Sequence, residues 1–340
     1  MTHKIGDVQP FVSVIMPVRH EEAFIQRSLG SVLAQDYPLM EVIIADGMSE
    51  DNTRTLVQML SATSHDIPVS LIDNPGKTRP CALNLGIRQA RGEIITFVDG
   101  HCEIAPDYIS QCVKHLQAHE EAAVVGGPIK TIGTGFVGEA IALALSTPFG
   151  VGGAAFRTVQ DRIMFVDTVA FGAYRREVLD RAGPFREELS VTEDDEYNYR
   201  LRAMGYKILM SPHICSHYYS RSSLVKLWKQ YFRYGLYKVL VFRAHPGQMR
   251  LRQFVPPLFV LALLLGGLLA LLSPWLLRLW LLLIGVYLAV NLAASGYSGR
   301  RGGWKYVVIL PLIYTILHLA YGLGFLLGLI RFGRFTDRFR

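Results

Sequence analysis

Residues Phe11–Pro17 read FVSVIMP, a short run in which nearly every side chain is apolar or β-branched. Such runs form strands that are buried on both faces of a parallel sheet. The signal recurs at Glu41–Ala45, Val69–Ile72 and Glu93–Val98, with helical stretches predicted between the strands at 21–33, 53–61 and 82–90. This alternation predicts an α/β fold of βαβ units with a ligand site at the carboxyl ends of the strands.

The C-terminal part of the chain has a different composition, rich in leucine and nearly free of acidic residues. A membrane-spanning helix needs about 20 mostly apolar residues, and the predicted transmembrane region, 253–332, contains three such segments, at 254–272, 275–293 and 306–330. Ser273-Pro274 predicts a tight turn, so the first two segments are expected to form a hairpin. The third either crosses the bilayer or breaks near Gly322 and Gly324 and re-enters. Crossing would put the basic tail, 333–340, on the far side, against the positive-inside rule.

The net charge of +7 suits a partner that carries negative charge. Much of the excess positive charge lies at 221–252, around Arg300 to Lys305, and in the tail. These basic residues therefore border the apolar segments. We therefore expect lipid headgroups to be the partner, rather than nucleic acid. The four cysteines form no metal-binding pattern and are expected to be free thiols. The oligomeric state stays open.

The region 221–252 contains Leu224–Arg243, where Lys and Arg alternate with aromatic and aliphatic residues at helical spacing. This pattern predicts an amphipathic helix in the headgroup plane. The helix includes Gln230, Arg233 and Tyr234. A cationic side chain there can meet the phosphates of a lipid-linked acceptor or of a donor.

Polar residues follow the ends of the first two strands. The carboxylate of Asp46 can accept a hydrogen bond from a uracil imide N–H, and Glu21 can accept from ribose hydroxyls. Ser49 and Asp51 alternatively cap the next helix. Lys77 and Arg79 lie just before a helix start, where positive charge and backbone N–H groups favour a pyrophosphate.

Two further sets of residues carry catalytic chemistry. Asp99 and His101 follow the fourth strand directly and are expected to bind a divalent cation. The acids at 193–195 precede a helix, and their mutual repulsion raises at least one pKa, which suits a general base. Favourable placement at a helix N-terminus explains these acids equally well.

These motifs together resemble the family 2 glycosyltransferases of the GT-A fold, particularly the bacterial exopolysaccharide enzymes of the succinoglycan type. The resemblance covers about 11–237. PVRHEE, which contains Pro17 and Arg19, and ADGMSEDNT look like the nucleotide-binding strand ends, and FVDGHC looks like the DxD position. TEDDEYNYRLR looks like the ED motif, which assigns the catalytic base to Asp194, with Glu193 beside it. QYFRY is similar to the QxxRW motif of processive synthases, and Asp167 falls on the acceptor side.

The resemblance implies a metal-dependent, inverting transfer of sugar from a UDP-sugar to a polyprenyl diphosphate-linked saccharide, with Mn²⁺ or Mg²⁺. It also implies a multi-pass protein of the bacterial inner membrane with a cytosolic catalytic domain, 1–220. Polyprenyl-phosphate sugar synthases, processive polysaccharide synthases and a non-catalytic nucleotide-sugar-binding scaffold stay open as alternatives. An NAD-dependent oxidoreductase is disfavoured because the first strand does not lead into GxGxxG.

Overall fold

The structure, a computed structural model, describes residues 9–64 and 66–333. The chain forms two units: one comprises the residues up to Lys130 together with Val159–Tyr218, and the other comprises Thr131–Thr158 together with the residues from Tyr219 onward. The sequence analysis counted 131–158 with the catalytic domain, whereas the structure packs this segment with the C-terminal helices. Most of the predicted basic tail, 334–340, lies outside the described residues.

The first unit contains a large sheet with helices on its faces. The strands of this unit are β1 (Val12–Val18), β2 (Met40–Asp46), β3 (Val69–Asp73), β4 (Ile94–Phe97), β5 (Cys102–Ile104), β6 (Ala122–Gly127), β7 (Ile129–Ile132), β8 (Met164–Val166), β9 (Ala170–Arg175), β10 (Lys207–Met210) and β11 (Ser216–Tyr219). β5, β11 and β7 form a separate three-stranded sheet. The helices of this unit are α1 (Ile25–Leu33), α2 (Thr53–Thr63), α3 (Arg79–Gln89), α4 (Tyr108–Ala118), α8 (Arg176–Ala182) and α9 (Glu193–Ala203). The unit boundary falls within β7 and β11.

The eight strands of the main sheet have the order β3-β2-β1-β4-β9-β6-β10-β8. β1, β2, β3 and β4 are parallel, whereas β9 pairs antiparallel with both β4 and β6. Every residue of β1 and β2 is buried, as the unbroken apolar runs predicted. The strand order reverses between β1 and β4, and such a switch point opens a crevice at the carboxyl ends of the strands.

The second unit is helical, with α5 (Gly135–Leu145), α6 (Pro148–Val151), α7 (Ala155–Thr158), α10 (Leu224–Ala244), α11 (Val255–Leu269), α12 (Pro274–Gly302) and α13 (Leu310–Arg331). Three helical stretches, Leu251–Leu269, Pro274–Gly302 and Leu310–Arg331, are long and apolar enough to cross a membrane. α13 is a continuous helix, so the break predicted as one option near Gly322 and Gly324 is wrong.

These glycines instead allow neighbouring helices to approach closely. A Cβ on Gly324 would lie 2.1 Å from the carbonyl oxygen of Phe232 in α10, and one on Gly322 would lie 2.6 Å from that of Pro256 in α11. Both distances are far below van der Waals contact. Glycine at these positions therefore serves helix packing and does not interrupt the helix.

We predict that Gly324→Ala destabilises the protein by about 1–3 kcal/mol, because the new methyl group has no room against Phe232. The matched control is Gly285→Ala in α12, where a Cβ would meet no atom of the described chain within 4 Å. That variant should be neutral or slightly stabilising, since alanine favours helix by about 1 kcal/mol. Thermal unfolding in detergent measures both, and equal melting temperatures would contradict the packing role.

Candidate active site

A half-open cavity lies at the switch point of the sheet. It is lined by Pro17, Val18, Arg19, Glu21, Gly47, Asn74, Lys77, Thr78, Arg79, Ala82, Asp99 and His101. Six of the seven residues predicted to bind a nucleotide sugar are in this set, and Asp46 is the exception. The structure thus brings together side chains that follow β1, β2, β3 and β4.

Asp46 lies behind the wall of this cavity and is fully buried. Its carboxylate accepts hydrogen bonds from the backbone N–H and hydroxyl of Ser49, at 3.0 and 2.5 Å, and from Arg54 Nη1 at 2.8 Å. A contact between Asp46 and a nucleobase would require Ser49 or Arg54 to give way. In this structure the carboxylate organises the turn after β2, and the predicted base contact stays a prediction.

The backbone around the site is held in an uncommon conformation. Among the described residues, five that are not glycine have positive φ: His20, Met48, Lys77, Phe171 and Thr192. Left-handed backbone costs about 1–3 kcal/mol per residue and tends to cluster at functional sites. His20 and Met48 follow β1 and β2, Lys77 lines the cavity, and Thr192 precedes α9. The strain therefore lies in the segments that position the predicted site residues.

Asp99, His101 and Cys102 place their donor atoms within 4.8 Å of one another. The side chains of Asp99 and His101 are 19% and 26% exposed, whereas Cys102 is fully buried in β5. A carboxylate oxygen and an imidazole nitrogen together suit Mn²⁺, while Mg²⁺ prefers oxygen ligands throughout. The residues present therefore fit a divalent cation on the cavity side of the cluster.

Glu21 contacts His101 directly, with 3.0 Å between Glu21 Oε1 and His101 Nδ1. A carboxylate in this position fixes the orientation of the imidazole ring, and the same arrangement commonly stands behind metal-bound histidines. The ring also packs edge-on against Tyr218, with centroids 5.8 Å apart. Glu21 was predicted to bind ribose hydroxyls, which stays a prediction, and the structure shows its contact with His101.

Arg79 makes the central contact of the site. Its Nε donates to Asp99 Oδ1 at 2.7 Å, and its Nη1 donates to Glu193 Oε1 at 2.9 Å and to Asp194 Oδ1 at 2.5 Å. The guanidinium comes from the first residue of α3, and the carboxylates come from the end of β4 and the start of α9. One side chain thus joins the predicted metal-binding acid to the predicted catalytic acids. Arg79 was predicted to bind pyrophosphate, and no sequence pattern indicated these ion pairs.

The acids at the start of α9 have different environments. The side chain of Glu193 is 7% exposed and that of Asp194 is 49% exposed, so Asp194 is the more accessible to an acceptor. Burial, and then the charge of Asp194, raise the pKa of Glu193 to about 7 against the opposing effect of Arg79. Desolvation by the surrounding protein also raises the pKa of Asp194, Arg79 opposes this shift, and the charge of Asp99 adds to it. Glu196 is fully buried and bound to Arg200, so it is structural.

The predicted acceptor-side residues lie in different units. Asp167, in the first unit, is 3.7 Å from Arg202 of α9. Gln230, Arg233 and Tyr234 lie on α10 in the second unit, where Gln230 Nε2 donates to the Tyr234 hydroxyl at 2.8 Å and Arg233 is exposed. Their roles in acceptor binding stay predictions.

Several residues of the site carried no recognisable sequence signal. Arg54 bridges Asp46 and Asp73, at 2.8 Å each, but it occupies an ordinary position on α2. Asn74 is buried, and its side-chain oxygen has no hydrogen-bond partner among the described residues. Asn74 lies three residues before Lys77 in the sequence, and this proximity was the only available clue.

A switch-point cavity, the pair Asp99 and His101, and a half-exposed acid beside them are typical of a glycosyltransferase of the GT-A fold. The sequence model of Glycosyl transferase family 2 matches residues 13–183. The chain therefore belongs to glycosyl transferase family 2, which confirms the resemblance drawn from its motifs.

Similar proteins occur in archaea and bacteria. A dolichyl N-acetyl-α-D-glucosaminyl phosphate 3-β-D-2,3-diacetamido-2,3-dideoxy-β-D-glucuronosyltransferase of Methanococcus voltae is 27% identical, over 94% of this chain and 98% of that protein. The succinoglycan biosynthesis protein ExoA of Rhizobium meliloti is 29% identical, over 94% and 96%. A poly-β-1,6-N-acetyl-D-glucosamine synthase of Staphylococcus aureus is 26% identical, over 74% and 60%.

A solved structure has the same fold. The mannosyltransferase PcManGT of Pyrobaculum calidifontis, in complex with GDP-Man and Mn²⁺, aligns with a TM-score of 0.59 over 95% of this chain and 88% of that one. Sequence identity is 20%, so the likeness concerns the fold. It confirms the predicted GT-A architecture.

Replacing Arg79 by methionine should lower the free energy of unfolding by about 3–5 kcal/mol, because the buried Glu193 carboxylate loses its counter-ion. The matched control is Arg162→Met. Arg162 pairs with Asp161, and both side chains are exposed, at 70% and 84%, so its loss should cost about 1 kcal/mol or less. Thermal melts in detergent compare the two, and equal losses would argue against a special role for Arg79.

Proposed function

We propose that the protein is a metal-dependent, inverting glycosyltransferase that moves a sugar from a UDP-sugar to a polyprenyl diphosphate-linked saccharide. The observation that carries the proposal is the Arg79 cluster. It holds the half-exposed Asp194 next to Asp99, at the edge of the cavity formed by the strand ends. The acid that accepts a proton and the acid nearest the donor diphosphate are therefore neighbours.

In this reaction Asp194 removes the proton from an acceptor hydroxyl. The hydroxyl oxygen forms a bond to the anomeric carbon of the donor sugar, while the bond from that carbon to the diphosphate oxygen breaks and the nucleoside diphosphate leaves. A single displacement of this kind inverts the anomeric configuration. General-base catalysis contributes about 10²–10⁴-fold to the rate, and the exposed carboxylate of Asp194 is suited to this role.

The other residues of the site bind and orient the substrates. Lys77 lies on the cavity beside the N-terminus of α3, where backbone N–H groups and positive charge favour diphosphate. Pro17, Arg19 and Glu21 line the same cavity on the β1 side. A divalent cation held by Asp99 and His101 would supply positive charge to the leaving diphosphate.

The proposal of a lipid-linked acceptor rests on the relatives and on the helical unit. The Methanococcus voltae protein is named for transfer to a dolichyl-linked sugar phosphate, and this chain covers 98% of its length. Three helical stretches have the length and composition of membrane spans. We place the enzyme in the bacterial inner membrane with its catalytic unit in the cytosol, because the basic residues around Arg300 to Lys305 favour that side.

Two of the alternative activities are weaker candidates. The processive synthase of Staphylococcus aureus is covered over 60% of its length only, whereas the relatives from Methanococcus and Rhizobium are covered almost completely. A polyprenyl-phosphate sugar synthase acts on a phosphate oxygen that carries no proton at neutral pH. Such an enzyme has no need of a base at Asp194.

Asp194→Asn should reduce sugar transfer by about 10²–10⁴-fold while leaving donor binding intact, because it removes the base and keeps the shape. The assay uses purified protein in detergent with UDP- and GDP-sugars and polyprenyl diphosphate-linked acceptors. Glu177→Gln, an exposed acid in the first turn of α8, is the matched control. Unchanged transfer by Asp194→Asn would refute the assignment of the base, and failure to consume any UDP-sugar would refute the donor class.

Mn²⁺ binding tests the cation site independently of activity. Asp99→Ala and His101→Ala should both weaken Mn²⁺ binding in an electron paramagnetic resonance titration of the full-length protein. Glu21→Gln should weaken it by about 10–100-fold, because the imidazole ring loses the carboxylate that orients it. Glu177→Gln should not change it. If only Asp99→Ala has an effect, His101 and Glu21 are structural.

A further inference from the structure

α10 and α13 run side by side in the same direction. A Cβ on Gly324 would lie 2.1 Å from the carbonyl oxygen of Phe232, and one on Gly328 would lie 2.6 Å from that of Leu236. From the first contact to the second, the residue number increases by four on each helix, so the helices are parallel. At both contacts the two backbones nearly touch. The two helices must therefore have the same orientation relative to a membrane.

α10 is too highly charged to cross a bilayer. It contains Lys226, Lys229, Arg233, Lys238 and Arg243, and the central three lie within about 8 Å of the helix midpoint at 1.5 Å per residue. A lysine or arginine facing lipid at the centre of a membrane is strongly disfavoured. Among the described helices, α10 is not one of the three that are apolar enough to cross. Because α13 runs parallel to it, α13 is expected to share its position at the surface.

The contacts of α11 and α12 with α13 lead independently to the same position. The start of α11 meets the middle of α13, where a Cβ on Gly322 would lie 2.6 Å from Pro256 O. The end of α12 meets the first turns of α13, where Ser298 Oγ and Tyr314 OH are 2.7 Å apart. In a hairpin that crosses twice, the start of α11 and the end of α12 lie on the same side of the membrane.

The first half of α13 therefore connects two points on one side of the membrane. From Tyr314 to Gly322 a helix rises about 12 Å, so a crossing α13 would be deep in the bilayer at Gly322. There it contacts Pro256, only four residues after the charged Arg252. This position is incompatible with a crossing and compatible with a helix along the surface.

The side chains of α12 change from unburied to buried along the helix, and the change marks the point at which the surface layer begins. None of the described residues from 274 to 290 is buried, and this stretch, apolar except for Arg278 near its start, is about 25 Å long. From Asn291 onward, polar residues are buried in protein: Asn291 is 1% exposed and Ser295 0%. The first part of α12 is thus unburied and reaches the lower limit of about 17 residues for a membrane span, and the last part packs against α13.

We propose that α11 and the first part of α12 are the only crossings made by the described helices, and that α10 and α13 lie together in the headgroup region on the side where the hairpin enters. Arg331 then stays on the same side as Arg300, which agrees with the positive-inside rule. α13 is apolar because it packs between other helices and contacts acyl chains with residues such as Leu312 and Leu327, which are 50% and 44% exposed.

Cysteine accessibility tests this topology in the full-length protein. Single cysteines are introduced by Arg331→Cys, Arg300→Cys and Leu272→Cys in a Cys81→Ser, Cys215→Ser background, since Cys102 and Cys112 are buried. Right-side-out and inverted membrane vesicles are treated with a membrane-impermeant maleimide. The cysteine at 331 should react from the same side as that at 300, and the cysteine at 272, near the hairpin turn, should react from the opposite side.

Three results would overturn the proposal. Reaction at 331 from the side of 272 would show that α13 crosses. Protection of 331 from both sides until detergent is added would place the end of α13 inside the bilayer. Reaction of all three cysteines from one side would show that the hairpin does not cross. None of these results bears on the identity of the donor or the acceptor, so the topology and the proposed function fail separately.

Discussion

The organisation of the active site depends on a single guanidinium. Arg79 binds carboxylates from the end of β4 and from the start of α9, segments that are 94 residues apart between Asp99 and Glu193. Three carboxylates and one guanidinium carry a net charge of −2 when all are ionised. Such a cluster is unstable in a protein interior unless a cation or a proton compensates it. Burial, and then the charge of Asp194, raise the pKa of Glu193, and the net negative charge of the cluster makes a divalent cation beside Asp99 electrostatically favourable.

The sequence was sufficient to predict the frame of the site. Buried strands have a distinct pattern, and parallel strands place their carboxyl ends together, so residues after β1, β2 and β4 were expected to meet. The exception, Asp46, is informative. Its position at a strand end was read correctly, but the direction of its carboxylate depends on Ser49 and Arg54, whose side chains complete its hydrogen bonds. The partners of Arg79 on α9, Glu193 and Asp194, were equally hidden, because no local pattern records a contact across more than a hundred residues.

The helical unit shows a different limit of sequence reasoning. Hydropathy counts apolar residues without regard to what surrounds them, so a helix packed between other helices resembles one packed in lipid. Glycines are ambiguous in the same way. A break at Gly322 and Gly324 was one of the two options predicted, but these glycines are positions at which α11 and α10 approach α13 closely. Polar residues lie between α12 and α13, where Asn291 Nδ2 donates to Thr315 Oγ1 at 3.1 Å. Such residues fit contact between helices better than exposure to acyl chains.

A surface position for α10 has a consequence for the acceptor. The phosphates of a lipid-linked saccharide lie in the headgroup plane, because the polyprenyl chain is confined to the bilayer and the saccharide to water. Lys226, Lys229 and Arg233 are exposed on α10, and if α10 lies in that plane, their charges are at the depth of the phosphates. A basic residue near an anionic surface contributes about 1 kcal/mol of attraction. Arg233, the charged residue of QYFRY, would then attract the lipid phosphate through its position at the membrane surface. This role does not require the channel of a processive polymer synthase.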